Sequence, residues 1–499
     1  MGTKISRRTM LGGLAAGAAV VGWSPRRGAW VTAAEAAEAG TRPVPRLDGS
    51  LVTDPATRAA FGRDFGRLVE AAPWAVLRPG SVRDIVAIIG FARRHGLTVA
   101  MNGQAGPPGI TESHSSYGQA TAPGGIAVDA GALAAIHRTG DAWAEVDAGV
   151  TWAELVAAAA PHGLTPPVLT DFLHLSVGGT LSVGGTGGTM QRYGTQADNV
   201  LELQVVTGTG ELVTCSPRRR RDLFEAVLAG AGQFGLIVRA KVRLVPAETH
   251  ALVFNLFYDD LATYLADQVT VMREARFSYQ EGHLERRADG SGWRFVMEVA
   301  AFHTPPAEPD PPALLAGLSD DRPAAVVVDQ PYLDFAARLD PLVAQLVAGG
   351  FWDQPKPWLT LFLPGSATAG LVEAMLAELA PEHLGVGPAS LYPVDTTRLA
   401  RRFFAVPAED VAFQVNLLRF PFPGYPDIAG LLAQNRAFYD AAVAAGGTRY
   451  VIGAVPGMTT ADWRRHFGPR WPDLVAAKER YDPDRVLTPG QGILPPRQV

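Results

Sequence analysis

The 499-residue chain has a single cysteine, little charge and no long apolar run. With only Cys215, an internal disulfide, a cysteine-built metal site and a CxxC redox pair are all excluded, and its neighbours make it a strand-end packing residue. Charged residues are 19% of the chain, the formal net charge is −5 and the two signs are mixed, so there is no basic footprint for nucleic acid. One basic run, Arg218 to Arg221, precedes the helix pattern DLFEAVLAG and reads as a solvated helix entrance. HExxH, GxSxG and GxxxxGK[ST] are absent, which leaves zinc protease, serine hydrolase and P-loop chemistry without support. The uninterrupted apolar segment Met10 to Val21 is too short for a stable membrane span.

What the chain does have is 47% hydrophobic residues, enough for two or three domain cores. The start, MGTKISRRTMLGGLAAGAAVVGWSPRRG, joins the pair Arg7-Arg8 to a moderately apolar run and then small residues near AAEAAEA. This resembles a twin-arginine export signal. Residues 1–39 are therefore expected to lie outside the fold, with cleavage within 34–39 and a secreted or cell-envelope destination. Such export carries folded proteins, which suits a chain that takes up a cofactor before leaving the cytoplasm.

From residue 74 strands and helices alternate. WAVLRP reads as a strand, SVRDIVAIIGFARRHG as a helix capped by Ser81 and ended by Gly96, and LTVAM as the next strand, one β-α-β unit. AWAEVDAGV and TWAELVAAAAPHG, with the capping box Thr151 and Glu154, open a second. LELQVVTGTGELVTC reads as a hairpin and FGLIVRAKVRLV as a half-buried strand. Beyond Pro246 come more aromatics and the amphipathic patterns ALLAGLSD, LVEAMLAELA and IAGLLAQNRAFYDAAVAAGG, which mark a second domain.

Seven glycines lie between Gly178 and Gly194. Such density is expected where backbone must turn with positive φ or approach a ligand closely, and exposed amides of this kind form a nest for anionic oxygens. A tight surface loop is the plain alternative. No GxGxxG follows the first strand, so this is not a Rossmann fingerprint.

TDFLHLSVGGTLSVGGTGGTMQRYGTQADNVLELQVVTGTGELVTCS, AGAGQFGLIVRAKVRLVP, PWLTLFLPG and YDPDRVLTPGQGIL, in this order, are similar to the cytokinin dehydrogenases. Those enzymes belong to the vanillyl-alcohol-oxidase-like flavoproteins with a PCMH-type FAD-binding domain. The resemblance spans residues 55–495 and is densest over 165–245. It implies an α+β fold: a two-part FAD-binding domain, 40–246 with the returning segment 451–499, and an inserted substrate domain, 247–450, of antiparallel sheet with flanking helices.

The resemblance also implies a site. FAD would contact Gly103, Gln104, His114, Ser115 and Gln119 in one turn, and Thr170, Asp171, Ser176, Gly178, Gly179, Ser182 and Gly185 in the glycine segment. Further contacts would come from Gly232, Gly235 and Ile237 through their backbone and from Gln491 in the terminal turn. In the family a G-x-G-H-S turn carries a histidine bonded to the flavin. Here His114-Ser115 matches its end, yet about eight residues lie inserted before it, which loop entropy tolerates. His114 is the linkage candidate; a loop histidine beside noncovalent FAD is the alternative. No second ligand at helical or hairpin spacing supports a metal.

Asp171 falls where the family has its catalytic aspartate, and Glu281 matches the active-site glutamate in looser surroundings. Without the resemblance they read as a turn residue and a salt-bridged strand residue. A carboxylate of raised pKa can take the N–H or O–H proton as hydride leaves for flavin N5. Trp358 is the candidate planar wall for a substrate ring. Thr360 stands where cytokinin-degrading members have asparagine, so the amide expected for adenine recognition is missing there. The expected function is oxidation of a secondary amine or alcohol of a small molecule, with oxygen or a quinone-like acceptor. The alternatives are a tailoring flavoprotein of secondary metabolism, performing oxidative cyclisation or a non-redox FAD-dependent step, and a non-enzymatic flavin carrier.

Overall fold

Asp84 shows how the first layer is assembled. It lies in the first turn of the helix Val82–His95, where carboxylates are favoured, and its oxygens accept from the backbone amides of Asp48, Gly49 and Gly80 at 2.7–2.8 Å. The side chain of Ser81, the expected cap, makes no capping bond; Gly96 ends the helix at φ 63° as expected. The computed structural model describes residues 20–24, 29–32, 42–103, 106, 110, 112–287 and 289–495.

The helix covers a four-stranded sheet in the order Ser50–Val52, Ala75–Arg78, Ile126–Asp129, Val99–Asn102. Ile126–Asp129 runs parallel to both neighbours, so it separates the two strands of the expected β-α-β unit. The second expected unit does not form. Trp143–Asp147 pairs antiparallel with Gly235–Arg243, and Leu164–Thr165 pairs antiparallel with Val245–Pro246. The helix between them, Trp152–Ala159, does carry its capping box.

Val200–Thr207 and Leu212–Cys215 form the expected hairpin in a five-stranded antiparallel sheet, with Cys215 buried in the core beneath it. An eight-stranded antiparallel sheet uses strands between His250 and Arg449. The helices Leu261–Glu274, Thr368–Glu378 and Ile428–Ala444 flank it and close its own core. ALLAGLSD yields only the single turn Pro311–Leu314. The terminal helix Trp471–Tyr481 packs back on the first half of the chain, its buried Lys478 donating to the Gln233 and Leu487 carbonyls. The fold is α+β.

The N-terminal stretch differs from expectation where it is described. Val20–Ser24 pairs with Ala29–Thr32 and Arg42–Pro43, and the buried Trp23 stacks on Trp74 at 4.9 Å. Arg7 and Arg8 lie outside the described residues, as does Gln104. Among the described residues no helix is long and apolar enough to cross a membrane.

Candidate active site

A cleft enclosing about 2220 Å³, its open mouth included, runs between the glycine segment and the eight-stranded sheet. The turn after Val99–Asn102 lines it with Gly103, His114, Ser115 and Gln119. Thr170, Asp171, Ser176, Gly178, Gly179, Ser182 and Gly185 line it from the glycine segment. Gly232, Gly235 and Ile237 border it beside Gln491, and Trp358 and Thr360 face it from the sheet. Glu281 does not reach it. That residue is 3% exposed on the strand Tyr279–Arg286, behind the cleft wall.

Gly178 and Gly185 show why glycine is needed. A Cβ on Gly178 would lie 2.6 Å from the Cβ of Ala148, and one on Gly185 would lie 2.1 Å from Gln196 Oε1 at a φ of 75°. Their side-chain positions are filled by protein, so bare backbone borders the cleft. The amides of Val177 and Gly178 donate to the carbonyls of Val150 and Ala148, which removes Gly178 as a donor for a pyrophosphate nest.

The histidine turn is clamped from the run Asp64-Phe65-Gly66. Phe65 N donates to the Ser113 carbonyl at 2.7 Å, and the buried Asp64 carboxyl accepts from Ser115 Oγ at 2.9 Å and Gly118 N at 2.7 Å. Burial pushes Asp64 up to about 6. Phe65 stacks on the His114 ring with centroids 4.6 Å apart. Burial, with the nearby charges of Lys356 and Arg67, pulls His114 down to about 3, so the imidazole is neutral at physiological pH. Its buried Nε2 has no hydrogen-bond partner among the described residues. Gln119 spends its amide on protein: Nε2 donates to the Val451 and Ile452 carbonyls, and Oε1 accepts from Ser116 N and Tyr117 N.

Asp171 sits at the cleft wall in an ion pair with Arg338, whose Nη2 lies 2.6 Å from Oδ1. Tyr279 OH donates to the same oxygen at 3.2 Å and also meets Arg338. Arg338 continues to Glu298 at 3.3 Å, and Glu298 to His283 at 3.1 Å. Burial favours the neutral form of Glu298, but the His283 hydrogen bond and the Arg338 charge outweigh it and hold that carboxyl low. Glu281 goes the other way. Burial first, then the Asp171 charge, push it well above the ordinary carboxylate range. One cluster thus holds an ion-paired carboxylate at the cleft and, behind it, a buried carboxyl whose pKa is raised.

Residues 73–216 match the family described as FAD binding domain, and residues 295–494 match the one described as Cytokinin dehydrogenase 1, FAD and cytokinin binding. Cytokinin dehydrogenase 10 of Oryza sativa subsp. japonica is 36% identical over 492 residues, covering 89% of this chain and 88% of that protein. An uncharacterized oxidoreductase in the fasciation locus of Rhodococcoides fascians is 37% identical over 444 residues, covering 89% and 99%. Cytokinin dehydrogenase 4 of Arabidopsis thaliana is 31% identical, covering 90% and 93%. The chain belongs to the cytokinin dehydrogenase family. It is an FAD-dependent oxidoreductase.

The cleft of this cytokinin dehydrogenase relative fits its cofactor on structural grounds. His114 Nε2, Trp358 Nε1, Gln414 Oε1 and Gln491 Nε2 are buried polar atoms along one elongated space, without partners among the described residues. Buried polar groups are ordinarily hydrogen-bonded, so four of them on one cleft call for a ligand with polar and ring surfaces. No cluster of metal-ligating side chains occurs among the described residues. Sequence reasoning missed Arg338, which belongs to no motif. It also missed Gln414 and Asn416, which the strand VAFQVNL signals through two amides two residues apart in an apolar run. Phe65, Phe172 and Trp352, packed around His114, were likewise missed.

Proposed function

We propose that this protein is an exported oxidoreductase acting on a secondary amine or alcohol of a small organic molecule, with an isoprenoid adenine of the cytokinin type as the first substrate to test. Asp171 carries the reading, because it is a carboxylate on the cleft wall fixed by Arg338 and Tyr279. When bound, FAD accepts the hydride and yields electrons to oxygen or a quinone-like acceptor. Asp171 takes the proton from the N–H or O–H beside the oxidised carbon, and Arg338 keeps the carboxylate aimed. Leu339, Val343 and Leu346 add apolar wall that excludes water. The neutral imidazole of His114, with Nε2 unpartnered, supports covalent attachment of the flavin at that residue.

The test is anaerobic mixing of the FAD-loaded protein with isoprenoid adenines, sugars, phenolic alcohols and amines while flavin absorbance is followed. Bleaching by the adenines alone supports the reading; bleaching by another class alone replaces the substrate. Thr360 favours a second reading, a tailoring flavoprotein of secondary metabolism, which predicts no bleaching by adenines. Export follows from the twin-arginine resemblance, and it should stop when Arg7 and Arg8 are both replaced by lysine.

A further inference from the structure

The floor of the cleft is a relay of amides. Leu359–Pro364 pairs antiparallel with Val411–Leu417, which pairs with Ala389–Asp395. The register sets Thr360 opposite Asn416, and Asn416 opposite Ser390. Gln414, Asn416 and Thr360 all line the cleft and are 3%, 7% and 1% exposed. Phe413, Val415 and Leu417 take the opposite face of the same strand, packed in the core.

Asn416 Nδ2 donates to Ser390 Oγ at 2.7 Å, and Asn416 Oδ1 accepts from Gln414 Nε2 at 3.1 Å. Thr186 Oγ1 accepts from the same Nε2 at 3.4 Å. Both amides are thereby oriented, and Gln414 Oε1 is left buried with no donor among the described residues. An apolar floor would serve folding without that desolvation penalty; a held, unpaired acceptor serves a ligand that brings its own donor. The amide that the resemblance leads one to expect at position 360 is found one strand away, on the cross-strand partner of Thr360.

We propose that Gln414, aligned by Asn416, is a specificity residue that accepts a hydrogen bond from a ring N–H of a planar nitrogen heterocycle. Two bound molecules can present that group: the flavin, through its pyrimidine ring, or a purine substrate. The second source rests on the amine-oxidation reading; the first needs only FAD.

The experiment compares FAD-loaded wild-type protein with Gln414→Leu, using isopentenyladenine and its 9-methyl derivative, which lacks the ring N–H. If the donor is the substrate, wild type binds the free N–H probe about tenfold or more tighter than the methylated one, and Gln414→Leu erases the ratio with an unchanged flavin spectrum. If the donor is the flavin, Gln414→Leu shifts the flavin absorption maxima, with the ratio unchanged. Asn416→Ser, which frees the amide to rotate, gives the same effect at smaller amplitude and stands in if Gln414→Leu does not fold. A folded, FAD-loaded Gln414→Leu with both spectrum and ratio unchanged overturns the assignment. If neither adenine binds wild type or bleaches its flavin, the adenine-substrate reading fails and the flavin spectrum alone decides this one.

Discussion

Asp171 and Glu281 share a cluster but face opposite demands, and substitution should separate them. Asp171→Asn keeps shape and removes the proton acceptor, so turnover should fall roughly 10²- to 10⁴-fold with FAD retained, read as the rate of anaerobic bleaching. Glu281→Gln changes a buried group that does not reach the cleft and should leave that rate within about threefold. Its stability effect has a definite sign. Because burial raises Glu281 in the folded state, wild type loses stability as pH climbs above the ordinary carboxylate range, where only the unfolded chain releases the proton. Glutamine has no such loss, so the Tm of Glu281→Gln relative to wild type should rise between pH 5 and pH 8. Arg338→Met withdraws the cation 2.6 Å from Asp171, so the carboxylate loses its aim and anaerobic bleaching should slow roughly tenfold or more with FAD retained. Around His114, Asp64 is the clamp. Acid precipitation should leave flavin on wild-type protein, release all of it from His114→Ala and release a large part from Asp64→Asn, whose FAD still binds. Flavin released completely from wild type would end the covalent reading.

Elements whose instructions are local were legible. The capping box at Thr151, the glycine stops at Gly96 and Gly163 and the hairpin at 200–215 all carry their signals within a few residues. The second β-α-β unit was misread because periodicity marks a strand without naming its partner: Trp143–Asp147 pairs with a strand about ninety residues later in the chain. The glycine segment was legible as dense glycine, but its purpose needed the fold, since Gly185 is forced by Gln196 and its positive φ. Gly185→Ala should therefore cost about 1–3 kcal/mol and lower Tm, with less flavin incorporated per protein. Gly163→Ala is the control, at φ 66° with nothing within 4 Å, and its smaller loss isolates the contact with Gln196 from backbone strain.

At the scale of the molecule, a resemblance held over most of the chain carried the cleft, since His114, Asp171, and Trp358 with Thr360 converge from three separate segments of the chain. It could not carry the charge relay through Arg338 or the amide floor, which arise from packing and register. The same scale joins the export reading to the paired strands Val20–Ser24 and Ala29–Thr32. Trp23 on Trp74 and Trp30 over Phe91, with centroids 4.9 and 5.7 Å apart, cover apolar surface of the first layer. Signal removal within 34–39 would take both rings away. No described residue of that stretch lines the cleft, so a chain beginning at residue 40 should carry as much flavin per protein as the full chain. It should also melt a few degrees lower, since the buried Trp23 ring is worth on the order of 2–3 kcal/mol and the half-buried Trp30 ring adds less. Equal flavin content with a lowered Tm would mark these strands as a dispensable cover. Loss of FAD binding on truncation would make them part of the cofactor domain and count against cleavage there.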